Sequence, residues 1–254
     1  MLLFVAACSD LFEYHPNEIR LDAHEKDLTQ KNLNRLSQQS PSDTVRFILM
    51  GDTQRFYDEL QDFVATAATY QVDFILHTGD IADFGMAQEY KWVHELMQKL
   101  PQPYLTAIGN HDLLANGPAI YEQMFGPQNY DFTYGNFQFV ILNTNGREYN
   151  FNGSIPDIGW LRQTLSKSAN EAIVIGHIPP YDGDFDPALE NKFARQLKES
   201  NKVKLALFGH KHSGFTGQPY NDDITYHVAG GMKEREFSII TLAKDYQHVE
   251  VANF

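Results

Sequence analysis

Five short apolar runs in this chain each end in glycine followed by one polar residue that can bind a metal. Those residues are Asp52, Asp80, Asn110, His177 and His210. Gln54, His111, Asp112 and His212 lie within two positions of them. Carboxylate oxygens, amide oxygens and imidazole nitrogens together suit divalent ions such as Mn, Fe and Zn. A carboxylate between two such ions can bridge them. A single Gly-Asp or Gly-His is usually only a turn, and Asn110-His111-Asp112 alone could be an Asx turn. Five such pairs in this order and spacing imply a metal site. His77, His94, His227 and His248 fall inside expected strands or a helix and read as structural.

The elements that must position these residues follow from the spacing. The five residues are separated by 28, 30, 67 and 33 positions, and one strand-helix-strand unit takes about 30 residues. Strands are expected at Val45–Met50, Val72–His77, Tyr104–Ile108, Ala172–Ile175 and Val203–Phe208. Helices are expected over Phe56–Tyr70, Met86–Leu100, about Pro118–Phe125, from Asp157 to Lys167, and about Ala188–Glu199. The long step holds two further β-like runs, Tyr130–Tyr134 and Phe137–Leu142. Three more runs finish the chain near 224–229, 236–242 and 246–252. The fold class is therefore α/β. Ligands of open α/β sheets gather beyond the carboxyl ends of the strands, so all five polar residues are expected on one rim of one sheet. The glycine before each is expected to turn the backbone sharply and to leave room for ions.

Composition narrows the partners. The chain has 254 residues, 20 Lys and Arg against 33 Asp and Glu, and a net charge of −13. Such an acidic surface repels phosphate backbones, which argues against general nucleic-acid binding. One cysteine, Cys8, permits neither an intrachain disulfide nor a cysteine-built zinc cage. No apolar run reaches the 18 residues of a membrane-spanning helix. Residues 1–8 read as a truncated signal-like segment: Val5-Ala6-Ala7-Cys8 resembles the lipobox of bacterial lipoproteins, although a basic leading region is missing. A misplaced start codon would account for that. The expected location is a bacterial cell envelope, with a lipidated Cys8 as the only membrane contact. Residues 9–44 are polar and read as a tether with a helix over about 17–38, and residues 45–254 as the functional domain. A monomer is expected.

Gly51-Asp52-Thr53-Gln54, Gly79-Asp80-Ile81-Ala82-Asp83, Gly109-Asn110-His111-Asp112, Gly176-His177 and Gly209-His210-Lys211-His212 together resemble the calcineurin-like metallophosphoesterase family over about 45–254. That resemblance implies a β-sandwich of two mixed sheets flanked by helices. It implies two divalent metals, with Mn favoured over Fe, Zn or Mg. Asp52, Asp80 and His212 would hold one and Asp80, Asn110, His177 and His210 the other, with Asp80 bridging. His111 would donate a proton, Asp112 would orient it, and Asp83 would support the ligands from behind. One departure is Gln54, which stands where the family pattern has His and is a weaker ligand than imidazole for Zn or Fe. Gln54 is expected to ligate or to hold a water.

The resemblance makes the expected reaction hydrolysis of a phosphomonoester or phosphodiester, with hydroxide generated at the two metals attacking phosphorus. His111 would protonate the leaving oxygen. Substrate choice is expected in loops 113–130, 145–156 and 178–187, where Arg147 could pair with phosphate. Tyr121, Tyr130, Tyr149, Phe151, Tyr181 and Phe185 lie there and read mostly as packing residues. The alternative is a non-catalytic envelope protein that binds metal or ligand on the same fold.

Overall fold

A computed structural model describes residues 18–254. Cys8 and the lipobox-like segment lie outside the described residues. Six helices and eleven strands follow in order, with a few single 3-10 turns between them. They are α1 (Leu28–Ser37), β1 (Val45–Met50), α2 (Tyr57–Ala67), β2 (Phe74–His77), α3 (Ala87–Met97), β3 (Tyr104–Thr106), α4 (Gly117–Met124), β4 (Tyr130–Tyr134) and β5 (Phe137–Ile141). Then come α5 (Ile158–Lys167), β6 (Glu171–Ile175), α6 (Glu190–Glu199), β7 (Val203–Phe208), β8 (Phe215–Gly217), β9 (Thr225–Val228), β10 (Glu236–Ala243) and β11 (Tyr246–Asn253).

The strands form two mixed sheets, ordered β11-β10-β1-β2-β3 and β4-β5-β6-β7-β9-β8. The expected single rim is therefore corrected. Asp52, Asp80 and Asn110 follow strands of the first sheet, whereas His177 and His210 follow strands of the second. The switch occurs inside the long step of 67 residues, where the antiparallel pair β4-β5 opens the second sheet.

Side-chain alternation builds the layers. In β1, Phe47 and Leu49 point between the sheets, while Ile48 and Met50 point toward α2 and α3. In β6, Ile173 and Ile175 face the first sheet, and Ala172 and Val174 face α5 and α6. The result is helices, sheet, sheet, helices. Both sheets are covered on both faces along most of their length, which is why their strands read as continuous apolar runs. Phe47 stacks on Phe74 with centroids 4.9 Å apart, and both meet Phe139 edge-on across the layer.

Helix α1 falls within the stretch read as a tether, but the described part of that stretch belongs to the domain. Leu28, Thr29, Asn32 and Leu36 are buried. Asn32 accepts a hydrogen bond from the Tyr104 backbone at 3.3 Å, and Arg35 donates to the Pro101 carbonyl at 2.9 Å. Among the described residues no helix is long and apolar enough to cross a membrane.

Candidate metal centre

The carboxyl ends of β1, β2 and β3 meet those of β6 and β7 at a common edge of the two sheets. Four of the residues delivered there, Asp52, Asp80, His210 and His212, have left-handed backbones, with φ of 55°, 58°, 70° and 56°. Such conformations cost energy for residues with a Cβ and concentrate at functional sites. Of the five preceding glycines only Gly79 has a left-handed φ, +105°. The expected sharp turn is thus made mostly by the candidate ligands themselves. At Gly109 the need is closeness: a Cβ there would lie 2.1 Å from the Asp80 backbone nitrogen.

Seven expected metal-site side chains converge. His177 Nε2 lies 3.0 Å from Asn110 Oδ1 and 3.3 Å from Asp80 Oδ1. His210 Nδ1 lies 3.1 Å from the same Asn110 oxygen. Across the edge, His212 Nε2 is 3.3 Å from Asp52 Oδ1. Gln54 Nε2 donates to Asp80 Oδ2 at 3.3 Å. Asp52, Gln54, Asp80 and His177 are buried, with exposures of 2% or less. Ligand atoms of Asp52, Asp80 and His177 all lie within 4.8 Å of one another.

This donor set fits divalent cations. One buried oxygen of the group, Gln54 Oε1, makes no hydrogen bond within the protein, and the buried Asp52 Oδ1 has only the 3.3 Å contact with His212. Leaving a buried acceptor unsatisfied costs free energy, and a cation would satisfy it. The electrostatics agree. Burial alone would raise the Asp80 carboxyl, but the charge and hydrogen bond of His177 and the proximity of His111 bring it to about 2. Burial alone would lower His177, yet Asp80 and Asp52 carry it up to about 9. The centre thus holds concentrated negative charge and draws a positive partner onto its imidazole. His177 Nδ1 donates to the Thr78 carbonyl at 2.9 Å, which turns Nε2 inward.

His111 lies at the margin of this group. Its backbone N–H donates to Asp80 Oδ1 at 3.0 Å, and its Nδ1–H donates to the Asp83 carbonyl at 2.8 Å. The Asp83 carboxylate is 3.5 Å from the same ring nitrogen and is itself paired with Arg55 at 2.5 Å. Asp83, not Asp112, therefore orients His111. Asp112 is fully buried and accepts from the backbones of Ile81, Ala82 and Gly109 at 2.9–3.2 Å. It ties the β2 and β3 loops together, and burial beside Asp80 pushes its carboxyl up to about 6.

His94 and His227 hydrogen-bond away from the centre, His94 with the Tyr104 hydroxyl at 2.6 Å and His227 with Thr216 and Ser238 at 2.8 Å, and His77 is tied to the backbone. The Gly79 N–H donates to His77 Nδ1 at 3.1 Å, so Nε2 carries the proton and donates to Thr53 at 2.9 Å. Among the loop residues, the Tyr121 and Tyr130 hydroxyls donate to the Thr106 carbonyl, and Phe185 is buried in the core. Tyr149 hydrogen-bonds Gln128 and Asn143. Phe151 is exposed, and the Tyr181 ring faces Phe215. Arg147 pairs with Asp184 at 2.8 Å. Asp182 and Asp184 were not expected at the centre, yet both face His210.

A protein of Coxiella burnetii named probable cyclic nucleotide phosphodiesterase is 28% identical over 173 residues, covering 64% of this chain and 69% of that protein. A 3′,5′-cyclic-nucleotide phosphodiesterase of Nostoc is 26% identical over 159 residues, covering 59% of this chain and 60% of that protein. A dimetal phosphatase from Danio rerio superposes with a TM-score of 0.71 at 16% identity, covering 84% of this chain and 97% of its own. A purple acid phosphatase from yellow lupin gives 0.68 at 14%, covering 84% and 52%. The two-sheet fold is thus shared with these phosphatases. The sequence profile of calcineurin-like phosphoesterases matches residues 45–214, well over half of the chain, and the protein belongs to that family.

Proposed function

We propose that this protein hydrolyses a phosphodiester at a pair of divalent metal ions. The observation that carries the reading is the meeting of seven donor side chains at one edge, with Gln54 Oε1 buried and without a hydrogen-bond partner. Asp52, Gln54, Asp80 and His212 would hold one ion and Asp80, Asn110, His177 and His210 the other. When bound, such ions supply positive charge for phosphate oxygens and acidify water near neutral pH. Gln54 serves through its carbonyl, because its amide nitrogen already donates to Asp80. This replaces the imidazole that the family pattern has there.

The chain's own residues supply the rest. His111 is anchored through Nδ1 on Asp83. That leaves Nε2 to pass a proton to the leaving oxygen, a contribution of about 10²–10⁴-fold in rate. Asp83 fixes the ring, and Asp112 keeps the loops bearing Asp80 and Asn110 in register. Choice of a diester, and of a cyclic nucleotide within that class, is supported by the names of the Coxiella and Nostoc relatives. A cell-envelope location through lipidated Cys8 belongs to the same reading, and mass spectrometry of Cys8 from native membranes tests it.

The test is hydrolysis of bis(p-nitrophenyl) phosphate, p-nitrophenyl phosphate and 3′,5′-cyclic AMP with added Mn²⁺, beside Asp80→Asn. Expected are turnover of the diesters above the monoester and its near-complete loss in the variant. Equal turnover by Asp80→Asn would overturn the metal-centre reading. A preference for the monoester would overturn the diester assignment.

A further inference from the structure

We propose that Asp182 and Asp184 are positioning residues for His210, holding its outer ring nitrogen so that Nδ1 stays turned toward Asn110 and the metal pair. This rests on the metal-centre reading above. His210 presents Nδ1 to Asn110 Oδ1 at 3.1 Å. On the far side of the ring, Nε2 lies 3.6 Å from Asp182 Oδ1 and 3.6 Å from Asp184 Oδ2. An imidazole ligand needs its second nitrogen protonated and held, and carboxylates are the usual partners.

Two carboxylates beside one ring would repel each other unless each were balanced. Lys211 Nζ pairs with Asp182 Oδ2 at 2.9 Å, and an Arg147 guanidinium nitrogen pairs with Asp184 Oδ1 at 2.8 Å. Each acid therefore gives one oxygen to a cation and turns the other toward His210. The chain Lys211–Asp182–His210–Asp184–Arg147 alternates in charge when the ring is protonated or metal-bound.

The backbone fixes both acids. Asp182 Oδ1 accepts from the Asp184 N–H at 3.0 Å, and the Arg147 N–H donates to the Asp184 carbonyl at 3.0 Å. The loop after β5 is pressed onto this one so closely that a Cβ on Gly146 would lie 2.5 Å from the Asp186 nitrogen. Arg147 is thereby committed to bracing an acid. The two loops expected to choose substrate thus also orient a ligand, although neither contributes a metal donor itself.

The experiment is titration of metal-free full-length protein with Mn²⁺ by calorimetry, with bound ions counted by spin resonance. Wild type, Asp184→Asn and Asp182→Asn/Asp184→Asn are compared. The amide keeps the loop hydrogen bond to the Asp184 N–H but removes the charge facing His210. One of two Mn²⁺ ions is expected to bind ~10–100-fold more weakly in the double variant, the size of effect seen for such partners. The single variant should fall between, and the other ion should change less than ~3-fold. The thermal midpoint of the metal-free double variant should match wild type, and if that variant does not fold, the single variant carries the comparison. Two unchanged affinities in a folded variant would overturn the positioning role. A third Mn²⁺ bound by wild type and lost in the double variant would overturn it by making the acids ligands. Wild type that binds no Mn²⁺ would overturn the metal-centre reading itself, and this inference with it.

Discussion

Replacing Gly109 by alanine tests how tightly the backbone is fitted around the centre. The added Cβ would lie 2.1 Å from the Asp80 nitrogen, 2.2 Å from Asp80 Oδ1 and 2.9 Å from Asp80 Cα, where ordinary contact is 3.4–4 Å. Asp80 would have to retreat by about 1 Å. Retreat would strain the hydrogen bonds that the Asp80 carbonyl accepts from the Thr53 and Gln54 N–H groups at 3.0 and 3.1 Å. Overpacking of this kind costs about 1–3 kcal/mol of stability. A displacement of ~1 Å in a catalytic arrangement costs roughly 10²-fold in rate. Gly109→Ala is therefore expected to lower the thermal midpoint by several degrees and kcat/KM on bis(p-nitrophenyl) phosphate by ~10²-fold, with loss of bound Mn²⁺. Gly159→Ala, on the distant helix α5, serves as the control and should leave kcat/KM unchanged. A Gly109→Ala protein with turnover within about 3-fold of wild type and an unaltered midpoint would refute the close-packing argument.

Gln54→Ala removes the unpartnered carbonyl oxygen and the donor to Asp80; one Mn²⁺ should weaken by roughly 10-fold or more while the other holds, as equilibrium dialysis would measure. His111→Ala should retain both ions yet lose about 10²–10⁴-fold in kcat for diesters with poor leaving groups, and far less for nitrophenyl esters; equal losses across the series would remove the proton-donor role. Away from the centre, burial lowers His94 and His227 to about 4. Both stay neutral when folded and protonate near 6.5 when unfolded, so their contribution is full above pH 6.5 and lost as pH falls toward 4. For the deeper His227 that loss approaches ~3 kcal/mol at pH 4, and urea titrations of His227→Gln should show a shallower decline in stability over this range than wild type.

Much of this arrangement was legible in the sequence, because strand-end glycine-ligand pairs 28, 30 and 33 residues apart can hardly be spaced otherwise. The sheet to which each strand belongs was not legible. Periodicity reports which face is buried, and the central strands of both sheets bury both faces. Adjacency in sequence misleads at Asp112: neighbours in a 3-10 turn point apart, and the partner of His111 comes from Asp83, 28 residues earlier. Helix α1 was legible as a helix, but its docking onto the domain was hidden by its polar composition, with only Leu28 and Leu36 as buried apolar anchors. Asp182 and Asp184 carried no signal, since acids in a loop beside prolines and glycine read as solvated charge. Only the fold of the β6–α6 connection turns them toward His210.

The His210 backbone N–H donates to Asp52 Oδ2 across 158 residues of sequence, and the His210 and His177 rings reach Asn110 and Thr78 across 100 and 99. No fragment ending before β7 contains a complete donor set. During synthesis at about 5–20 residues per second, the first sheet's aspartates would wait roughly 10–30 s for their histidine partners. A chain that stops before residue 212 therefore lacks part of the proposed donor set, and the candidate metal edge can close only late in synthesis.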